Sequence, residues 1–393
     1  MGATRSILGI GAGIAAAAAA TAAGVTVDRL RRARRTAIAL GTEEEYVEVP
    51  DEERVVIAED GVPLHVEIDE PEGSGGRPTV ILSHGYTHNL SVWVFQRRAL
   101  RAAGYRIVLW DVRGHGRSES AENSTYNVGQ LGRDLASIIA ATTPQGPIIL
   151  VGHSMGGMSM MSFAKAFPDV LEERVIGAAF ISSSAGDLTS VNYGLGRQLG
   201  TVVHRLGPSA MLRLADQEEL VASTRRAGKD VEAYLVHRWS FASPVPISLV
   251  RMVADMIFAT RLGTTSAYMT SLMVHDERAA LGEFIGIETL VMHGDEDRIT
   301  PDSHSEAIAD AIPGAEYVVV ERCGHMLPLE YPEIVDAHLL AMIDRSRRAL
   351  SDNAVGKPEG AKPKARRVRQ RVSAAPRRPA AVKPAKNSDT LAP

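Results

Sequence analysis

Gly152-His-Ser-Met-Gly-Gly157 places one serine between glycines two residues away on each side. A serine hydroxyl is a weak nucleophile until a neighbouring base takes its proton. Where the hydroxyl sits decides whether a base can reach it. The run before it, Pro147-Ile-Ile-Leu-Val151, is short, apolar and partly β-branched, which predicts a buried strand. The run after it, Met158 to Phe167, has helical composition and stops at Pro168. Ser154 therefore falls on an abrupt strand-to-helix bend, which lifts its oxygen above the sheet edge. A Cβ two residues away on either side would clash there, so Gly152 and Gly156 are read as relief of crowding. The helix start also aims backbone N–H groups at developing negative charge. Gly-x-Ser-x-Gly alone arises by chance in glycine-rich chains; between a strand and a helix it is far more specific.

The bend needs a sheet to hold it. Tyr46-Val-Glu-Val49, Arg54 to Ile57 and Pro63 to Ile68 look like strands, with a hairpin signal at Glu59-Asp-Gly61. After Gly73-Ser-Gly-Gly76 the pattern changes to continuous apolar runs: Thr79–Leu82, Arg106–Trp110, Pro147–Val151, Val175–Ser182, Thr289–Met292 and Tyr317–Val320. Helix-like segments separate them at Val92–Ala103, Val128–Ala141, Met155–Phe167, Ser303–Ile312 and Pro332–Ala349. Buried strands alternating with helices predict an α/β fold, a mostly parallel sheet covered on both faces. Residues 185–287 are too long for a simple connection. Helical patterns at Ser209–Ala215, Val231–Trp239 and Ile247–Thr260 suggest an inserted helical cap.

Four stretches give the chain a resemblance to the α/β-hydrolases of the serine esterase and lipase type, over roughly residues 50–349. They are Ser83-His-Gly-Tyr86, Asp111 to Ser118, Gly152 to Gly157, and the pair His293–Pro301 with Cys323-Gly-His325. Each follows an expected strand, where open α/β sheets place their ligands. The resemblance implies the order nucleophile, acid, histidine, with Ser154, Asp297 and His325 in those roles. Asp187 is the lesser alternative for the acid, because some relatives carry it there; a turn or cap role is the plainer reading. The resemblance also implies an oxyanion hole from the backbone N–H groups of Tyr86 and Met155, and no metal or organic cofactor. His153 reads as a packing or hydrogen-bonding residue. His84, His88 and His115 read as structural or pocket-lining, and Arg113 and Asp111 as loop-bracing.

The implied activity is hydrolysis of carboxylic esters through an acyl-enzyme on Ser154. A serine nucleophile argues against the epoxide-hydrolase and dehalogenase branches, which use aspartate. A thioesterase, a C–C bond hydrolase, a cofactor-free haloperoxidase and a non-catalytic binding scaffold stay open, since fold does not fix function. Methionines 155, 158, 160 and 161 crowd the serine helix, and 252, 256, 269 and 273 the insertion. Such stripes are usually core, but they also form adaptable apolar surfaces. A lipid-like ester with a medium or long acyl chain is the expected substrate.

The 393 residues are ample for a full core, and the single cysteine, Cys323, excludes an internal disulfide framework. Residues 351–393 carry a local charge of +8, leaving −12 for the remainder of a chain whose net charge is −4. An acidic body does not suit a dedicated nucleic-acid binder; the basic tail could touch anionic lipid or an acidic partner. Ser6 to Val27 carry no charge, and five arginines follow between Arg29 and Arg35. That length suffices for a bilayer, and the arginines would keep the catalytic domain cytoplasmic. A secretory signal, a soluble alanine-rich helix and myristoylation at Gly2 are the alternatives. The expected organisation is an anchor and basic linker (1–45), a hydrolase core in two parts (46–184 and 288–350), the cap (185–287), and a disordered Pro/Ala-rich tail (351–393).

Overall fold

The structure, a computed structural model, describes residues 46–191, 229–354 and 368–373. The apolar stretch 6–27, the expected helix at 209–215 and most of the basic tail lie outside the described residues. Among the described residues, no helix is long and apolar enough to cross a membrane.

Nine strands form one sheet in the order β1-β2-β4-β3-β5-β6-β7-β8-β9 among the described residues. They are β1 (Glu52–Ile57), β2 (Pro63–Asp69), β3 (Thr79–Ser83), β4 (Ile107–Trp110), β5 (Ile148–His153), β6 (Val175–Ile181), β7 (Glu288–Gly294), β8 (Glu316–Glu321) and β9 (Val368–Ser373). β1 with β2 and β2 with β4 pair antiparallel, and every other pair is parallel. The patterning explains the split. β3 and β5 are buried along their whole length, as strands covered on both faces must be. β1, on the edge, buries Val56 and leaves Val55 and Ile57 exposed.

Helices cover both faces. α1 (Val94–Ala102) follows β3, α2 (Val128–Thr142) follows β4, and α3 (Met155–Ala166) and α4 (Pro168–Arg174) follow β5. Among the described residues three helices follow β6: α5 (Lys229–Ser240), α6 (Ile247–Ala259) and α7 (Leu262–Val274). α8 (Asp302–Ala311) follows β7, and the one-turn α9 (Leu327–Glu330) and long α10 (Pro332–Ala354) follow β8. The period-2 rule sorts the strand residues between two cores. Leu150 packs with Leu135, Met161 and Phe163 on one side of the sheet. Ile149 and Val151 pack with Leu100, Leu339 and Met342 on the other.

The α/β reading of the sequence holds, with three differences. Tyr46–Val49 forms no strand; its Val47 and Val49 are exposed and only Tyr46 turns inward. α7 has little amphipathic contrast in its sequence, and it is a helix of the insertion that the sequence patterns did not mark. The expectation that everything beyond Ser351 lacks structure fails for residues 351–354, which continue α10, and for Val368-Arg-Gln-Arg-Val-Ser373. That stretch alternates apolar with polar and pairs parallel to β8. Arg369 meets Glu306 at 3.0 Å and lies over the Tyr317 ring. Basic composition hid a short strand whose cations match an acidic edge.

The loop after β4 is braced by a buried cation. Arg113 donates from Nε to Asp134 at 2.6 Å and from Nη1 to Asp60 at 2.7 Å, with no exposure of its own side chain. Removing it strands the buried carboxylate of Asp134. Arg113→Ala should lower unfolding free energy by about 3–5 kcal/mol in urea titrations; a loss under about 1 kcal/mol would show that the pair carries no such weight.

Candidate active site

Ser154 follows β5 directly and caps α3 with φ 53° and ψ −118°, a backbone region that non-glycine residues avoid. The surroundings hold it there. Its N–H donates to Ile181 O at 2.9 Å, and its carbonyl accepts from Gly157 N at 2.9 Å and Ser183 Oγ at 2.8 Å. The glycine requirement is steric. A Cβ on Gly156 would lie 2.0 Å from Ser83 O, and one on Gly152 2.5 Å from Gly156 C. Ser154 is buried, and among the described residues its hydroxyl has no hydrogen-bond partner. Met155 opens α3, so its N–H belongs to the first turn, which has no intrahelical acceptor.

The loop after β3 lies against this bend. A Cβ on Gly85 would be 3.0 Å from Ser154 Cβ. Two histidines fix the loop by reading backbone groups on both sides. His84 Nδ1–H donates to Gly85 O at 2.8 Å while its Nε2 accepts from Val112 N at 2.9 Å. His115 Nδ1–H donates to Arg113 O at 3.0 Å while its Nε2 accepts from Thr87 N at 3.0 Å. Both rings must be neutral to do this. Burial favours that state, pushing His84 down to about 3 and His115 down to about 4. Tyr86, between the clamped residues, ties its hydroxyl to Thr265 O of α7 at 2.5 Å. Asp111 accepts from Leu90 N and Arg117 N, each at 2.8 Å, which matches its reading as a loop brace.

β7 and β8 deliver the other half. Asp297 is buried, and its Oδ1 accepts from Ile299 N at 2.8 Å and Thr300 N at 3.0 Å. Its Oδ2 accepts from His325 Nδ1–H at 2.8 Å. Burial pushes this carboxyl up, but the His325 imidazole and the N–H donors outweigh it and hold it below the usual carboxylate value. Thr300, which sequence reading passed over, has its Oγ1 2.9 Å from Asp297 Oδ2 and 3.3 Å from His325 Nδ1. Its only sequence signal is its place three residues after the acid. Asp295 accepts from Arg322 N, and Asp187 is exposed on a left-handed turn at the start of the insertion.

His153 joins the halves. Its Nε2–H donates to the backbone oxygen of His325 at 2.9 Å, and the two rings stand 4.9 Å apart. The fold thus brings Asp297 and His325 together, and sets the His325 ring beside the residue adjoining Ser154. No hydrogen bond joins Ser154 Oγ to the imidazole; such bonds often tighten only once substrate is bound. His88 packs 5.9 Å from His153, and Nδ1 of both has no partner among the described residues.

These histidines make stability depend on pH. Burial lowers His84 to about 3, His115 to about 4, His153 to about 3 and His88 well below its ordinary 6.5. The unfolded chain binds protons first as pH falls through 6.5, so folding loses stability from there down to about 3. Asp111 and Asp336, raised by burial to about 6, act in the opposite sense but are fewer. The urea midpoint should fall steadily from about pH 7 to pH 5, and less steeply in His115→Gln; a flat profile would contradict the neutral-histidine clamps.

A family model described as serine aminopeptidase, S33, matches residues 76–332. The dihydrolipoyllysine-residue acetyltransferase component of the acetoin cleaving system of Pseudomonas putida is 29% identical over 283 residues, 69% of this chain and 64% of that protein. The chain thus spans just under two thirds of that relative's length. A monoacylglycerol lipase of Mycolicibacterium smegmatis is 24% identical over 243 residues, 60% of this chain and 76% of that protein. An esterase structure from Exiguobacterium antarcticum shares the fold with a TM-score of 0.58 at 20% identity, covering 75% of this chain and 100% of that one. The family match takes in β3 to β8 with every candidate residue named above. This chain belongs to the serine aminopeptidase S33 family and has the α/β-hydrolase fold.

Proposed function

We propose that this protein hydrolyses carboxylic esters of medium or long acyl chains through an acyl-enzyme on Ser154. The observation that carries this is the buried Asp297–His325 hydrogen bond of 2.8 Å, on a loop whose backbone is bonded to the residue beside the strained serine. Asp297 holds the proton on Nδ1, which leaves Nε2 unprotonated and able to act as base. His325 takes the Ser154 proton as the hydroxyl oxygen attacks the ester carbonyl. The N–H groups of Met155 and Tyr86 hold the resulting oxyanion. His325 returns the proton to the departing alcohol, and water repeats the sequence on the acyl-enzyme. A likeness to a protein named monoacylglycerol lipase supports a lipid-like ester. The methionines divide: those of α3 are fully packed in the core, while Met252, Met269 and Met273 of α6 and α7 are only half-buried. Acyl preference therefore rests on the insertion. The uncharged stretch 6–27 supports attachment to a membrane with the hydrolase domain on the arginine side.

A fluorophosphonate should label wild-type protein at Ser154 and leave Ser154→Ala unlabelled. Asp297→Asn should fold normally and lose about 10³- to 10⁴-fold in kcat, through the wrong histidine tautomer. An unlabelled wild type, or an active Ser154→Ala, would overturn the mechanism. With p-nitrophenyl esters of increasing length, rates should peak beyond butyryl; a peak at acetyl would refute the acyl-chain assignment. Carbonate extraction of membranes checks the anchor: full-length protein should resist it, and protein lacking residues 1–27 should not.

A further inference from the structure

The mechanism leaves a buried carboxyl group, that of Glu330, unused. Glu330, the last residue of α9, has no exposed surface and, among the described residues, no cation in salt-bridge contact. A bare carboxylate in such a place is expensive unless hydrogen bonds surround it. Three backbone donors do so. Oε2 accepts from Gly324 N at 2.7 Å. Oε1 accepts from Ala242 N at 3.0 Å and from Ser243 N. Gly324 adjoins His325. Ala242 and Ser243 lie between α5 and α6, in the insertion. The two oxygens of one side chain therefore reach two different parts of the molecule.

The rest of the histidine loop is held in the same way. Met326 N donates to Ser240 O at 2.9 Å, and His325 O accepts from His153. Residues 324, 325 and 326 are thus fixed in turn by Glu330, by the serine bend and by the insertion. The approach is close: a Cβ on Gly324 would stand 2.8 Å from Ser240 O. Every group bonded to Glu330 is a donor, the Cys323 thiol included, so a carboxylate suits the position and an amide does not. A glutamine has one carbonyl oxygen, and in either orientation its NH₂ would confront Gly324 N or the Ala242–Ser243 pair.

We propose that Glu330 is a positioning residue for His325, clamping the histidine loop to the insertion so that the imidazole is held over the serine bend. The proposal rests on the serine-hydrolase reading above. It makes the insertion a structural member of the reaction centre, in addition to any role in taking substrate.

The test is Glu330→Gln in the full chain, with p-nitrophenyl ester kinetics normalised to sites titrated by fluorophosphonate. kcat should fall about 10- to 100-fold with KM unchanged within about twofold, the signature of a displaced catalytic group. Leu135→Ala, a buried change on α2 in the opposite core, serves as the stability control and should keep kcat within about twofold of wild type. Wild-type kcat in Glu330→Gln, or an equal loss in Leu135→Ala, would overturn the proposal. Should Glu330→Gln not fold, amide hydrogen exchange on wild type decides. The amides of 242, 243 and 324 should open together, and independent exchange would refute the clamp. If wild-type protein neither reacts with fluorophosphonate nor cleaves esters, the underlying hydrolase reading fails. An active wild type beside an unaffected Glu330→Gln removes the positioning role alone.

Discussion

The molecule is organised around one close approach of main chains. β3 and β5 lie side by side with Ser83 opposite Gly152, and the chain leaving β5 turns so tightly that Gly156 presses on the carbonyl of Ser83. No side chain fits between them. The contact forces Ser154 into a left-handed conformation that costs on the order of 1–3 kcal/mol, which only a rigid surround sustains. It also brings the loop after β3 against the serine. A single crowded contact therefore sets two features together: a serine raised on a bend, and a backbone loop beside it. The neutral histidines at 84 and 115 lock that loop by accepting N–H groups, a task that protonated rings could not perform.

The opposite half comes from the parallel order of the sheet. β7 and β8 are neighbours and end on the same side as β5, so the loops after them converge without any long excursion. Asp297 is saturated by two backbone N–H groups and the imidazole, which favours its ionised form despite burial. His325 is fixed both by its own side chain and by the backbone on either side of it. The insertion takes part in this through Ser240, Ala242 and Ser243, and in the serine half through the contact of Thr265 with Tyr86. Elements distant in sequence thus share control of one small volume.

The sheet was legible because β3 to β8 are continuous apolar runs, and only fully covered parallel strands need that composition. Helix positions followed from their spacing, with ends displaced by a few residues, as at Val92 against Val94. The bend was legible because Gly-x-Ser-x-Gly lies between the two element types. Asp297 and His325 could be named from their settings in a family resemblance, but not from chemistry alone. Tyr46–Val49 misled because alternation cannot reveal whether a partner strand is present. β9 was hidden because charge and proline dominate the segment around six alternating residues. Glu330 gave no signal at all: a glutamate in Leu-Pro-Leu-Glu reads as surface, and only the convergence of three backbone donors shows otherwise.

The central claim is that one bend, two amides and an Asp-supported histidine meet at a single point. A crystal structure of the phosphonylated protein tests it most directly. The phosphorus should be bonded to Ser154 Oγ, with one phosphoryl oxygen about 2.7–3.1 Å from the backbone nitrogens of Met155 and Tyr86. The His325 imidazole should face the bonded oxygen and keep its contact with Asp297. A phosphoryl oxygen turned to solvent, or an imidazole directed away from the adduct, would contradict the account.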